Sequence, residues 1–149
     1  MGLERHNDTI GIIFPVLPNH LKRLFDLNKR VFVKFTGRAS PPPRLKPGSR
    51  LFLYESRSSK ELVGEARISQ ISSATAEEAL AEFGDDLFLT RAELEGYAGN
   101  RSAKKMLVLV LKDLKKYRRP VRFDKGVTMA GQYMTKEMYD DLGRKWHSV

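Results

Sequence analysis

The chain has no cysteine and only three histidines. The first absence excludes disulfides, zinc–thiolate centres and iron–sulfur clusters. The histidines, His6, His20 and His147, stand in unrelated contexts. None has an i,i+3 or i,i+4 partner that could complete a metal site on a helix. No serine occupies a nucleophile elbow, and no glycine-rich loop followed by lysine offers a phosphate cradle. The basic stretch GRASPPPRLKPGS is too rich in proline to present a row of backbone N–H groups. No apolar run reaches the length of a membrane span, and the opening MGLERHNDT lacks the apolar core of a signal peptide. The expectation is a cytoplasmic protein without a membrane partner, cofactor or metal.

What is present is positive charge. In 149 residues, 27 Lys and Arg stand against 18 Asp and Glu, a net charge of +9. That length suits one domain covering residues 1–149, and that sign favours a polyanionic partner. The cations cluster. Lys22, Arg23, Lys29, Arg30, Lys34, Arg38, Arg44, Lys46 and Arg50 are opposed only by Asp26, and Lys112, Lys115, Lys116, Arg118, Arg119, Arg122 and Lys125 by Asp113 and Asp124.

Periodicity supplies the elements. TIGIIFPVLP reads as a first strand, and NHLKRLFDLN as a short amphipathic helix capped by Asn19. RVFVKFT, RLFLYES and LVGEARISQIS read as three strands in a meander, the last with Gly64 at a bulge or a close backbone approach. Two acidic helices follow, each opened by a capping box, Thr75 with Glu78 and Thr90 with Glu93. Met106–Leu111 is the one continuous apolar run, expected as a central strand, with RRPVRF as a further strand. DKGVTMAGQYM reads as a loop and TKEMYDDLGRKW as a last helix capped by Thr135. Consecutive strands on short turns predict an α+β fold or small barrel of mostly antiparallel strands with flanking helices.

Single residues carry alternatives. Lys34 shares a strand face with Phe32, where a lone lysine is expected to extend its amine to solvent. Glu65 is a candidate general base or acceptor for a base edge, and equally a partner for Arg67 or a cross-strand lysine. Phe52 and Tyr54 are candidate exposed aromatics for base stacking, with core packing as the plainer role for Tyr54. Met129 and Tyr133 are candidates to close a pocket, with packing of the last helix as the plainer role.

The segments NKRVFVKFTGR, LKPGSRLFLYES, ELVGEARI and FLTRAELEGYAGNRSAKKMLVLVL together resemble an ASCH domain of the PUA-like superfamily. With the TMAGQYM ending, the chain is most similar to a small archaeal family of uncharacterised PUA-like proteins. The resemblance implies a pseudo-barrel with a cleft that commonly receives RNA or a modified base. It places the family's basic strand motif on Asn28, Lys29 and Arg30, its turn on Pro47, Gly48 and Ser49, its tyrosine on Tyr54, and its last motif on Val63, Gly64, Glu65 and Ala66. Asn28 replaces a glycine, and Val31 and Val33 stand where deacylating relatives place a threonine.

The sequence therefore favours a binding module for RNA, such as tRNA or rRNA, or for a nucleotide. The expected contacts are Lys29, Arg30, Lys34, Thr36, Arg38, Arg44, Lys46, Arg50, Tyr54, Glu65 and Arg122. The alternative is a small hydrolase of amidohydrolase or ribonuclease type acting on modified nucleosides or RNA. Its candidate catalytic residues are Lys34, Thr36 and Glu65.

Overall fold

The computed structural model describes residues 8–38, 40–56 and 60–147, with side chains through 143. His6, the side chain of His147 and residues 57–59 of the connector RSSKE lie outside the described residues. Along the chain, β1 (Thr9–Val16), α1 (Pro18–Asp26), β2 (Val31–Lys34), β3 (Arg50–Glu55) and β4 (Glu61–Ala74) lead to α2 (Ala76–Phe83), which a 3-10 turn joins to α3 (Arg91–Ala98). Then come β5 (Met106–Arg122), β6 (Gln132–Thr135) and α4 (Lys136–His147). The strands form one mixed sheet in the order β2-β5-β4-β3-β1-β6. The fold is α+β, as expected.

The meander is displaced by one strand. β3, β4 and β5 are consecutive and antiparallel, whereas β2 pairs with β5 through Val31↔Val110 to Lys34↔Leu107. Both partners are buried along this stretch and, Lys34 aside, apolar, so pairing them seals two hydrophobic segments inside. β1 runs parallel to β3, because α1, β2 and the proline loop provide the long crossover that a parallel pair requires. The run Met106–Leu111 and the segment RRPVRF belong to one 17-residue strand, β5. Part of the expected loop near Tyr133 is strand β6, paired with β1.

Helix ends follow local chemistry. The Thr75–Glu78 and Thr90–Glu93 capping boxes are both closed, and Thr135 Oγ1 accepts from Met138 N–H at 3.2 Å. α1 instead begins two residues early, with Pro18 in its first turn and Leu17 as N-cap. A proline there needs no N–H partner and its φ already suits a helix, so Asn19 is not required as a cap.

Two apolar clusters occupy the two faces of the sheet. The larger holds Phe14, Phe32, Leu51, Leu53, Ala66 and Leu109, with α1, α2 and α3 packed on it. The smaller holds Ile13, Phe52, Leu62, Val121, Phe123 and Leu142, under α4. Gly64 lies where α1 meets the sheet: a Cβ would come 2.5 Å from the Phe25 ring and 2.6 Å from the Lys115 carbonyl oxygen. The close approach expected of this glycine is present, and the β4–β5 register shifts on either side of it.

Candidate nucleic-acid interface

Lys34 ends β2 on the Phe32 face, which here is the interior face. Its side chain does not extend to solvent, and the residue is 6% exposed. Its amine reaches the end of β1 and so meets protein rather than water. Nζ donates to the Pro15 carbonyl at 3.1 Å and lies 6.0 Å from the centre of the Phe14 ring. Burial lowers its pKa to about 8. Among the described residues no carboxylate pairs with it.

The surroundings of Lys34 come from separate parts of the chain. Gly131, at φ +92, presses against Phe14, and a Cβ there would come 2.6 Å from the ring. Phe32 stacks between Phe14 at 5.7 Å and Phe88 at 4.9 Å, and His20 meets the Phe88 ring edge-on at 6.0 Å. The His20 pKa is lowered by burial first, with Glu93 opposing and the charges of Arg23 and Lys34 adding to the depression. Glu93 ties α3 to α1: its carboxylate accepts from both terminal nitrogens of Arg23, and Oε1 also accepts from Thr90 N–H at 2.9 Å. Partial burial opposes ionisation of Glu93, but the bonds from Arg23 and Thr90 prevail and hold its pKa at about 2. Just past β2, Phe35 N–H donates to Tyr97 Oη at 2.9 Å, and the Arg101 guanidinium lies 4.1 Å from the Phe35 ring centre.

The proline loop is knitted to the sheet. Pro42, Leu45 and Ser49 are buried. Gly48 N–H donates to Ile68 O and Ile68 N–H to Ser49 O, both at 2.8 Å. Arg44 N–H donates to Tyr133 Oη at 3.3 Å, and the Arg44 guanidinium lies 5.1 Å from the Tyr133 ring centre. Arg38, Arg44 and Lys46 remain exposed. Tyr133 thus supports the basic loop as well as packing against the larger core.

Glu65 lies elsewhere. It pairs in register with Phe52, on the face covered by α4, and Tyr117 Oη donates to its Oε1 at 2.8 Å. Arg50 stands 3.7 Å from Oε2 and 5.0 Å from the Tyr139 ring centre. Burial first, then the Glu65 carboxylate, raise the Tyr117 pKa. Phe52 is fully buried at 5.8 Å from Tyr139, so it offers no stacking platform, and Tyr54 is half-buried against the same cluster. α4 is the cause, since it covers that face.

The predicted residues are therefore distributed rather than gathered. Lys34 is buried against the end of β1, with the half-buried Thr36 two residues beyond it. Arg38, Arg44 and Lys46 form the loop rim. Arg50, Tyr54 and Glu65 share the α4 face. Lys29 donates to the Asp85 carbonyl at 2.5 Å and lines a cavity of about 220 Å³ with Arg23, Asp85, Thr90 and Arg91. Arg30 is exposed beside it, its N–H bonded to Asp86 O, and exposed Arg122 pairs with Asp124 at 2.7 Å. His20, Arg101, Tyr117 and Tyr139 were not foreseen as part of these networks. Tyr117 had a signal, being the one aromatic in the cationic run KKYRR, where a lone ring marks the inward face of a strand. Among the described residues, no group of three or more His, Asp or Glu side chains is placed to hold a metal, and no helix is long and apolar enough to cross a membrane.

Known proteins share this architecture. The crystal structure of ASCH from Zymomonas mobilis superposes with a TM-score of 0.74 at 17% identity, covering 91% of this chain and 94% of the other. A serine-to-alanine mutant of that protein gives 0.75 at 19% identity, covering 93% and 97%. A Methanocaldococcus jannaschii protein described as "Uncharacterized protein MJECS03" is 24% identical over 106 residues, 64% of this chain and 98% of its own length. The fold is that of these ASCH structures. The family described as "Domain of unknown function (DUF365)" matches residues 9–136, and the chain belongs to it.

Proposed function

We propose that this protein binds RNA in the cytoplasm, taking an unpaired or modified nucleobase at a mouth beside Lys34 and phosphates on the rim of Arg38, Arg44 and Lys46. The observation that carries this reading is Lys34 itself. A buried amine that has one carbonyl acceptor and no carboxylate partner among the described residues is costly to keep charged. It is the kind of perturbed group found at functional sites. Such an amine offers only donors, which suits the carbonyl-bearing edge of a base. The ASCH fold supports the same direction, since PUA-like domains commonly receive RNA in their cleft. A hydrolase built on Lys34, Thr36 and Glu65 finds no support in this geometry, because Glu65 is engaged by Tyr117 on the other face.

The test is retention of a tRNA and rRNA pool across a salt series, with sequencing of what binds. Wild-type protein should enrich a discrete class with a steep salt dependence. Lys34→Met should erase the enrichment and leave the slope, whereas Arg38→Ala with Lys46→Ala should lower the slope by about 2 and keep the enrichment. Unchanged affinity and selection in both variants would overturn the reading.

A further inference from the structure

One feature of β5 plays no part in the mouth. Between the pairs Gly64↔Lys116 and Leu62↔Val121, β5 advances five residues while β4 advances two. The surplus, Tyr117–Pro120, is left without register partners on β4 and forms an arch within β5. Lys115, Lys116, Arg118 and Arg119 are exposed on or beside it, and Lys112 continues the line down the strand. Among the described residues no ion pair involves any of the five. Three carboxylates are near: Asp113, next in the chain to Lys112; Glu65, paired in register with Lys115 but bonded by Tyr117 at 2.8 Å; and Asp26, which feels Lys116 but is bonded to Lys22 at 2.5 Å.

We infer that this ridge is a docking surface for the sugar-phosphate backbone of an RNA duplex. The inference rests on the RNA reading above and goes beyond it by naming a second surface and the form of RNA that fits it. At about 3.3 Å per residue the ridge spans roughly 20 Å, long enough for its cations to meet several phosphates. It carries no stacking platform. Its one aromatic, Tyr117, is turned under the sheet and donates to Glu65, and Leu114 packs against the larger core. A surface of cations without exposed rings contacts backbone and leaves bases in their stack, as in recognition of duplex RNA by shape and phosphate. The arch is also braced from behind: Phe25 of α1 packs into the Gly64 notch, with its ring centre 6.0 Å from Lys116 Nζ. Ordering this segment on binding therefore costs little entropy. The ligand that satisfies both surfaces is a stem with an adjoining unpaired nucleotide.

The experiment compares a 20-mer single strand, the same sequence as a duplex, and a stem with a single-stranded overhang. Each is titrated at several salt concentrations against wild type and the variant K115A/K116A/R118A/R119A. Thermal melts confirm that replacing these exposed residues leaves the fold intact. Wild type should prefer both stem-containing RNAs to the single strand. The variant should bind them about tenfold or more weakly at 0.1 M salt, with a log–log slope shallower by about 3. If wild type binds duplex and the variant binds it equally, the ridge is wrong and the RNA reading stands. Tighter binding of the single strand than of the duplex, with the same dependence on the ridge, overturns the duplex assignment alone. Equal affinity for poly-glutamate and duplex overturns the nucleic-acid assignment of the ridge. No binding of any RNA overturns the ridge and the RNA reading together.

Discussion

Burial of an amine with a single acceptor costs stability for as long as the amine is charged. Lys34 has a folded pKa near 8 against an ordinary 10.5, lowered by burial. Between those values the unfolded chain binds the extra proton, so stability rises with pH across that window. The penalty is fully present below pH 8 and is relieved by pH 10.5. A shift of this size corresponds to about 3 kcal/mol at most. Lys34→Met, which keeps the apolar stem and removes the charge, should raise stability at pH 7 by about 1–3 kcal/mol and abolish its rise above pH 8 in urea unfolding. An unchanged pH profile would show that some other group sets it. Glu93 has the opposite sign. Its pKa is held near 2 despite partial burial, so its contribution is present above its ordinary value of 4.5 and is lost as pH falls through 2. Gln at this position still accepts from Thr90 but gives up the charged pair with Arg23. The stability gap between Glu93→Gln and wild type should be about 1 kcal/mol at pH 7 and should close toward pH 2. A gap that persists at pH 2 would assign the loss to packing.

Gly64 joins two elements, and its substitution reports on both. Ala there would thrust a methyl into the Phe25 ring and the Lys115 carbonyl, at a cost of about 1–3 kcal/mol. Phe25→Ala relieves only the first clash. The double variant should therefore be less destabilised than the sum of the singles but still weaker than Phe25→Ala alone. Strict additivity in urea unfolding would mean that Phe25 does not fill this notch. The same element shows what sequence makes legible. Gly64 inside an apolar strand announced a close approach, and the Thr75 and Thr90 capping boxes announced two helices, because these signals involve residues a few positions apart. The pairing of β2 with β5 was hidden, since which strand meets Val31–Lys34 is decided by burial of segments more than seventy positions away. The same gap concealed that Lys34 faces inward and that Glu65 does not share its face. Strand β6, in QYMT, was masked by the glycine and methionine around it. Phe52 was read as exposed because nothing in the alternation of β3 reveals that α4 closes the second face.

Charge is segregated across the whole molecule. Residues 75–98 carry seven acids and one cation, so the rest of the chain holds a net +15 within the total of +9. The acidic part is α2, α3 and the turn between them. Glu77, Glu82 and Glu95 are exposed there and take no part in the capping boxes, which use Glu78 and Glu93. These acids repel a polyanion that approaches the basic mouth or ridge, without touching it. Through-space repulsion of this kind is screened within a Debye length, about 10 Å at 0.1 M salt and 3 Å at 1 M. Replacing Glu77, Glu82 and Glu95 together by Gln should therefore tighten RNA binding about two- to tenfold at low salt. The gain should fade as salt rises, and at 1 M the two proteins should converge. Association should speed up more than dissociation slows, because the acids act on encounter rather than on the docked complex. A gain that survives high salt, or appears only in dissociation, would instead place these helices in contact with the RNA. In that case the acidic face would be part of the interface, and the orientation of RNA on this fold would have to be redrawn around α2 and α3.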